Sequence, residues 1–476
     1  MPLPDRNTQA AIAVTRFGLG AHPGEIREAS GDPRGWLLRQ LAGPAPVKVA
    51  GADRLSSSRE SLAEYARLFA VRRDMRRAAM DEGDAMDGDG TMDGDGAMDD
   101  AEPRPAAFSR SVYKDEVDAR VRTAVVSRQP LAERMVWFWS NHFTVSGGRS
   151  AVLPAAGAFE REAIRPHVLG RFEDMLLAAT LHPAMLLYLD QQKSVGPSSQ
   201  RGRRSGRGLN ENLGREVLEL HTLGVDGGYT QADVTTFAKA LTGWTVGGFR
   251  RTETAEGEAI FVRAIHEPGA KTIMGAAYGD DGAEQARKAL RDFARHPSTA
   301  RHVARKLARH FVADEPPEGA VDALARTFRD TGGDLRRLTE AAVSLDAAWG
   351  EAPVKVKTPN EYVVSTLRGL DAGGVDRQMI FNAMVLLGQR TFSAPSPAGW
   401  PDRAADWAGP DAVYRRIEWA AQVGRRLGDR AGDPAGLARS MLGARASPRL
   451  LGALAGAESP AQAVALLLSS PDFQRR

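Results

Sequence analysis

Helical periodicity restricts the fold of this chain more than any other feature. Along most of its 476 residues, apolar side chains recur every three or four positions, which is the spacing of one face of an amphipathic helix. Strand-like patterns are few and short, such as residues 260–262. No repeat of fixed length is found, which argues against a regular solenoid. The sequence therefore predicts a mainly α fold, a large irregular multi-helix bundle with few short strands.

The predicted helices combine this periodicity with start and stop signals. In the clearest one, residues 212–224, apolar side chains recur at i, i+4 and i+7, and Asn210 or Asn212 is the expected N-cap. Thr230 and Asp233 form the pattern of a capping box at the start of the next helix. Further helices are expected at residues 11–19, 33–41, 61–80, 113–126, 131–139, 159–179, 298–311, 321–329, 335–348, 360–370, 377–387, 411–427 and 461–468.

An acidic Met/Asp/Gly-rich segment, residues 80–105, divides the chain. It is too acidic and too rich in glycine to bury a core, so we expect a disordered insertion. It separates an N-terminal helical part, residues 1–79, from the main helical body, residues 106–476. We expect these two parts to form one domain.

The composition excludes several classes of chemistry. The chain has no cysteine, which rules out disulfides, thiolate zinc sites, iron–sulfur clusters and cysteine nucleophiles. A metal would therefore have to bind His, Asp, Glu or backbone oxygen. Phosphate-loop, dinucleotide-binding, hydrolase-elbow and zincin motifs are not found either, so the sequence does not support those reactions.

The distribution of charge and hydropathy bears on location and partners. No run of roughly 18 apolar residues occurs, and the N-terminus shows no secretory signal, so we expect a soluble cytoplasmic protein without a transmembrane segment. The net charge is +3, and because the acidic segment is so negative, the rest of the chain is strongly basic. A basic surface can attract polyanions. Nucleic-acid binding is not favoured, because no recognition motif accompanies the charge.

The helix predicted at residues 212–224 carries the densest set of polar side chains. Asn212, Glu216 and Glu219 recur at i, i+4 and i+7 and therefore form one stripe. Paired carboxylates of this kind can bind a divalent metal or divide acid and base roles. The alternative is structural: Arg215 pairs with Glu219 one turn away, and Glu216 lies at the edge of the core.

Two further segments could contribute histidines to a site. His142 lies in an aromatic cluster, residues 137–143, where burial could lower its pKa and suit it for catalysis. His266 is followed closely by Glu267 and Lys271, and together these side chains could bind an anionic group. In each case a structural role, a buried polar group or a charged hairpin, is the alternative. By contrast, residues 298–311 predict a helix whose basic side chains face solvent.

Several separated motifs, among them residues 139–143, 208–244 and 398–401, together resemble one known family, the bacterial domain of unknown function 1800 (DUF1800). The longest of them runs from Gly208 through Asn-Glu-Asn to Thr-Gly-Trp244. The others are found in this order: residues 16–20 (Arg-Phe-Gly-Leu-Gly), 139–143 (Trp-Ser-Asn-His-Phe), 182–190, 266–275, 388–389 (Gly-Gln) and 398–401 (Ala-Gly-Trp-Pro). The resemblance covers nearly the whole chain except the acidic segment.

The resemblance implies little about chemistry, because the family has no established activity. It implies relatives that are often exported and often encoded beside a sulfatase-like protein, which suggests a partner in the cell envelope. This chain departs from such relatives in showing no export signal. Some relatives carry Phe where this chain has His221, so His221 is not included in the predicted site.

These observations lead to two hypotheses. The first is an enzyme with a His/carboxylate site. Whether Glu216 and Glu219 also bind a divalent metal in this site is left open. The alternative is a non-catalytic protein of the cell envelope or cytoplasm that binds a protein partner or a polyanion through basic residues. The predicted catalytic residues are His142, Arg215, Glu216, Glu219 and His266, and the predicted cofactor-binding residues are Asn212 and Lys271.

Overall fold

The computed structural model describes residues 3–83, 104–206, 208–249 and 256–476. Most of the predicted acidic insertion, residues 84–103, therefore lies outside the described residues. Within the described part, α-helices predominate and strands are confined to two short hairpins. The prediction of a mainly α fold with few short strands is confirmed.

The described residues form 24 α-helices, numbered here in chain order. They are α1 Arg6–Ile12, α2 Glu25–Ser30, α3 Pro33–Leu41, α4 Ser58–Gly83, α5 Pro105–Val126, α6 Pro130–His142, α7 Ala156–Phe159, α8 Phe172–Thr180, α9 Pro183–Tyr188, α10 Gly202–Ser205, α11 Asn212–Glu216, α12 Gln231–Leu241, α13 Ala283–Arg295, α14 Pro297–Phe311, α15 Glu318–Asp330, α16 Leu335–Ser344, α17 Pro359–Gly369, α18 Arg377–Leu386, α19 Ala404–Trp407, α20 Pro410–Leu427, α21 Pro434–Leu442, α22 Pro448–Ala455, α23 Pro460–Ser469 and α24 Pro471–Gln474.

Many of these helices begin where the local sequence predicts a start. Proline occupies the first turn of α3, α6, α14 and α17, where its missing N–H costs no hydrogen bond. The capping box expected at Thr230 and Asp233 is present at the start of α12. The expected cap of α11 is wrong, because its N-cap residue is Glu211 and makes no side-chain cap bond. Asn210 instead accepts a hydrogen bond from the backbone of Asn212 at 2.9 Å.

Three segments are wound as π-helix rather than α-helix: Ala13–Phe17, Glu160–Ile164 and Val217–His221. The helix expected at 159–179 is broken after the second of these segments, where Arg165–His167 is a 3₁₀ turn that contains Pro166. Because proline cannot donate a backbone hydrogen bond, a continuous helix is not expected to cross this point. The chain becomes α-helical again at Phe172, in α8.

The four strands form two antiparallel hairpins that lie close together in the sequence. Strand β1 (Trp244–Val246) pairs with β2 (Ala259–Phe261), with Thr245 opposite Ile260. Strand β3 (Lys271–Ile273) pairs with β4 (Ala276–Tyr278), with Thr272 opposite Ala277. Both hairpins lie between α12 and α13 in the sequence.

The helices pack around one large hydrophobic core. This core includes Ile12 and Leu41 from the N-terminal part and Phe473 from the last helix, together with residues from most helices between them. Arg368 joins distant parts of the chain inside it, because its Nη2 lies 2.6 Å from Glu25 Oε1 and its Nη1 donates to the Ala124 carbonyl at 2.9 Å. Among the described residues, no helix is both long enough and apolar enough to cross a membrane.

Candidate functional site

A cavity of about 330 Å³ lies where helices α5, α6, α14 and α17 meet the segment 389–406. We call it the Lys306 cavity. Its wall combines charged side chains with aromatic ones, and it falls at the small end of the usual size range for ligand-binding clefts. A cavity of this size can hold a small organic molecule.

Helix α14 supplies the cationic side of the Lys306 cavity. Val303, Leu307 and Phe311 recur along its buried face and anchor it in the core. Lys306 and Arg309 lie at i and i+3 on a different face, and both line the cavity. Because positions three apart on a helix are neighbours, the two cations lie side by side.

Among the described residues, no carboxylate forms a hydrogen bond or an ion pair with Lys306 or Arg309, although Asp402 is near enough to raise the pKa of Lys306. Within the described ranges, no residue forms a hydrogen bond or an ion pair with Lys306 Nζ. Arg309 Nε donates to the Asp314 carbonyl at 2.9 Å, which fixes the guanidinium and leaves its two Nη atoms available. Two cations thus face one cavity with hydrogen-bonding capacity to spare, which is the arrangement expected for binding an anion.

Burial changes the protonation of Lys306. The pKa of Lys306 is lowered to about 8, chiefly because burial removes the ammonium from water; Asp402 raises the pKa, and Arg309 lowers it by a smaller amount. At neutral pH the amine is mostly protonated, yet a substantial fraction becomes neutral just above it. A lysine in this condition can act either as a cation or as a nucleophile.

A buried network of charges forms the floor of the cavity. Arg134 donates to the Glu361 carboxylate and to His310 Nε2, the latter at 3.3 Å. Because a guanidinium can only donate, His310 accepts through Nε2 and carries its proton on Nδ1, which lies 3.4 Å from Asp402 Oδ2. Burial lowers the pKa of His310 to about 4, so this imidazole is neutral at physiological pH.

The same network holds Asp402 as an anion at the cavity wall. Lys355 Nζ lies 2.5 Å from Asp314 Oδ1 and 3.7 Å from Asp402 Oδ1. Burial by itself raises the pKa of Asp402, but His310 and Lys355 together hold it below its usual value. The carboxylate of Asp402 is therefore the negative group that faces the amine of Lys306.

Three histidines lie behind Lys306. His142 Nε2 is 3.0 Å from the His221 carbonyl oxygen, and His302 Nε2 is 3.0 Å from the Leu220 carbonyl oxygen. We call His142, His221 and His302 the histidine cluster. Burial lowers the pKa of all three, to about 3 for His221 and about 4 for His302, and the charge of Lys306 adds to the effect. The cluster is thus neutral, and it offers Lys306 no counterion.

Aromatic side chains cover the rest of the wall, and one asparagine positions the outermost of them. Asn141 Nδ2 donates to the Trp400 carbonyl at 2.9 Å, and the Trp400 N–H donates to Asn141 Oδ1 at 2.8 Å. Gly399 makes this contact feasible, because its φ is +86° and a Cβ there would lie 2.5 Å from the Asn141 carbonyl oxygen. Trp137, Phe138 and Phe159 also line the cavity and give it an apolar part.

Of the predicted site residues, only His142 lines the Lys306 cavity. Arg215 lies on α11, where it forms ion pairs with Glu219 at 3.1 Å and with Glu211 at 3.3 Å. Asn212 is exposed, and Glu216 is half-buried. Burial and the charge of Glu219 raise the pKa of Glu216. The structure thus contains the Arg215–Glu219 pair of the structural alternative, and the catalytic roles of these residues stay predictions.

His266 and Lys271 lie near the two hairpins, outside the cavity wall. His266 Nδ1 is 2.7 Å from the Thr242 carbonyl oxygen. Lys271 Nζ donates to the carbonyls of Glu267 at 2.8 Å and Gly269 at 3.0 Å. Both side chains are buried and hold backbone turns, and their proposed roles in catalysis and cofactor binding remain predictions.

The described part of the chain contains no group of three or more His, Asp or Glu side chains arranged to hold a metal ion. Glu216 lies near Tyr188, and Glu219 lies near Tyr229. The pKa of each tyrosine is raised to about 12, mainly by burial and then by the neighbouring carboxylate. Metal binding by these two carboxylates stays a prediction from the sequence.

Most of the residues that line the cavity were not predicted from the sequence to belong to a site. Lys306 and Arg309 were expected on a solvated basic face, and the residues of the charged floor, Arg134, Glu361 and Asp402, were not singled out. The family-like motifs were the signal in the sequence that could have indicated the cavity. Three of them, Trp139–Phe143, Gly388–Gln389 and Ala398–Pro401, contribute residues to its wall. Their convergence depends on tertiary packing.

Comparison with known proteins assigns the chain to a family but gives no activity. A family model described as "Protein of unknown function (DUF1800)" matches residues 12–475. No curated protein and no solved structure matches the chain.

Proposed function

The chain belongs to the DUF1800 family, as its motifs predicted, and from the residues of the Lys306 cavity we propose that it is an enzyme acting on a small organic anion. The observation that carries this proposal is that Lys306 and Arg309 line one cavity and neither is paired with a carboxylate in the described ranges. A substrate carboxylate there would gain two charge-assisted contacts in a partly desolvated site.

The rest of the wall supports the same substrate class. Trp137, Phe138 and Trp400 provide apolar surface for a hydrophobic or aromatic portion of the ligand. Asp402 and Lys306 supply a carboxylate and an amine for proton transfer, and the pKa of the amine, about 8, suits general acid–base catalysis near neutral pH. These groups support an enzyme rather than a binding protein.

The alternative, a partner-binding protein that uses the basic ridge of α14, has less support. Arg301 forms ion pairs with Glu318 at 2.6 Å and Asp322 at 2.8 Å, and Arg305 pairs with Glu318 at 2.8 Å. Helix α15 therefore neutralises this ridge. Binding to a sulfatase-like protein, and a cytoplasmic location, remain proposals that rest on the sequence alone.

The proposal is tested by calorimetric titration with phenyllactate, a small aromatic carboxylate, at low ionic strength. Arg309→Gln removes one of the two cations, and we expect it to weaken binding at least about tenfold, since a charge-assisted hydrogen bond contributes roughly 1.5–3 kcal/mol. Arg301→Gln is the matched control on the same helix, and it should bind like the wild type. The neutral amide of phenyllactate should bind poorly.

The pH dependence of this binding has a defined sign. Because the ammonium form of Lys306 attracts the anion and its pKa is about 8, affinity should fall as pH rises through 8, by about tenfold from pH 7 to pH 9. If phenyllactate, phenylacetate and benzoate all fail to bind the wild type, or if Arg309→Gln binds them equally well, the proposal is wrong.

A further inference from the structure

The amine of Lys306 is placed for covalent as well as electrostatic chemistry. Its neighbours are Arg309 on the same helix, Asp402 on the opposite wall and the neutral histidine cluster behind it. None of the described residues holds the amine by a hydrogen bond. A lysine whose role was only structural would be expected to resemble Lys355 or Lys271, whose amines are bound by carboxylates or backbone carbonyls.

On the premise of the proposed function, we infer that the substrate is a 2-oxo acid and that Lys306 forms an imine with its carbonyl carbon. The side-by-side placement of Lys306 and Arg309 carries this inference. In a 2-oxo acid the carboxylate and the carbonyl carbon are adjacent, so a carboxylate bound by Arg309 brings the carbonyl next to the lysine of the preceding turn.

The step balances without any further reactant. The neutral form of the Lys306 amine, which has released its proton to solvent, attacks the carbonyl carbon to form a carbon–nitrogen bond, and the surplus proton on nitrogen passes to the carbonyl oxygen to give a carbinolamine. The hydroxyl group then takes up one proton from solvent, equal to the one released by the ammonium, and leaves as water while the nitrogen lone pair forms the carbon–nitrogen double bond of a protonated imine. One water is released for each imine, and nothing is oxidised or reduced. The resulting imine draws electrons from the adjacent carbon, which is the usual purpose of a lysine Schiff base.

The experiment compares two probes that differ only in the reacting group. Phenylpyruvate carries the carbonyl, and phenyllactate carries a hydroxyl in its place. The wild type is incubated with each probe and treated with sodium borohydride, and mass spectrometry then locates any reduced adduct among the lysines. We expect an adduct with phenylpyruvate at Lys306, none with phenyllactate, and protection of Lys306 by excess phenyllactate.

Two variants accompany the wild type, each checked for folding by circular dichroism. Lys306→Arg keeps the positive charge but cannot form an imine, so it should bind phenyllactate and give no adduct. Lys288→Arg removes an exposed lysine outside the cavity and should leave the adduct unchanged. Should Lys306→Arg fail to fold, protection of the wild type by phenyllactate provides the same information.

The outcomes separate this inference from the proposed function. If phenyllactate and phenylpyruvate bind and no adduct forms at Lys306, the imine is excluded and the anion site stands. An adduct spread over exposed lysines such as Lys193 and Lys288 would also overturn the inference. If neither probe binds, the inference fails, and the proposed function fails with it when phenylacetate and benzoate also do not bind.

Discussion

Burial determines the charge of each histidine around the Lys306 cavity. The histidine cluster and His310 are all kept neutral because the folded chain removes them from water. His221 is the extreme case, since neither ring nitrogen has a hydrogen-bond partner among the described residues. Its backbone carbonyl oxygen, rather than a ring nitrogen, is the atom that lies 3.0 Å from His142 Nε2.

This arrangement predicts how stability changes with pH. The pKa of His221 is about 3 in the folded protein and about 6.5 in an unfolded chain, so on acidification the unfolded state takes up the proton first. Stability should therefore fall as pH drops below 6.5, and His221 alone should contribute a loss of about 2 kcal/mol between pH 7 and pH 5.

The variant His221→Phe tests this prediction by urea denaturation at the two pH values. Phe has no titrating group and leaves no unpaired buried nitrogen, so we expect the variant to be at least as stable as the wild type at pH 7 and clearly more stable at pH 5. An identical loss of stability on acidification in both proteins would contradict the account.

For single residues, the burial of a side chain was predicted from the sequence more successfully than its chemical role. The aromatic surroundings of His142 indicated a buried imidazole with a lowered pKa, and this is confirmed. Lys306 was expected at the surface because basic residues usually face solvent. Its position depends on Asp402 and Trp400, which are almost a hundred residues away in the sequence, so local pattern could not reveal it.

Individual elements were predicted well where local signals determine them. Proline and capping residues mark the starts of α3, α12 and α17, and the structure has helices there. The π segments were not predicted. In Val217–His221, the carbonyls of Leu220 and His221 bind His302 and His142 instead of continuing the helix. These histidine side chains belong to other elements. Because they bind the carbonyls, the helix ends before Gly224, where the sequence predicted its end.

The segment around Gly399 positions the aromatic part of the cavity wall. A substitution that adds one methyl group at Gly399 tests whether this backbone conformation is required. In Gly399→Ala the new Cβ would require a strained φ and would collide with Asn141, so we expect a loss of about 2 kcal/mol in the free energy of unfolding and weaker phenyllactate binding. Gly409→Ala is the matched control, because its Cβ meets nothing within 4 Å. Equal stability of the two variants in urea would show that the Asn141–Trp400 contact does not require glycine.

On the scale of the whole molecule, the helices that line the cavity share one hydrophobic core with the N-terminal part. We propose, as in the sequence analysis, that the N-terminal part (residues 1–79) and the main body (residues 106–476) form one domain, because the described residues Ile12, Leu41 and Phe473 belong to one core. The buried pair of Glu25 and Arg368 spans the same division, with Arg368 also binding backbone carbonyls on α5.

Breaking that pair should destabilise the whole molecule. Arg368→Met leaves Glu25 as an uncompensated buried charge, which costs about 3–5 kcal/mol. Calorimetry should show a single unfolding transition at lower temperature. In the double variant Glu25→Met with Arg368→Met, part of the loss should be recovered. A transition that splits in two, with one part unchanged, would mean that the N-terminal part and the main body fold separately.

Lys306 lines the cavity, and none of the described carboxylates forms an ion pair with its amine. The most direct measurement is trace labelling with acetic anhydride from pH 6 to pH 11, with the reactivity of each lysine quantified by mass spectrometry. We predict that Lys306 titrates near pH 8, well below the value of about 10.4 for a free lysine amine, and that phenyllactate protects it. Titration of Lys306 near 10.4, or labelling only after the protein unfolds, would contradict the account.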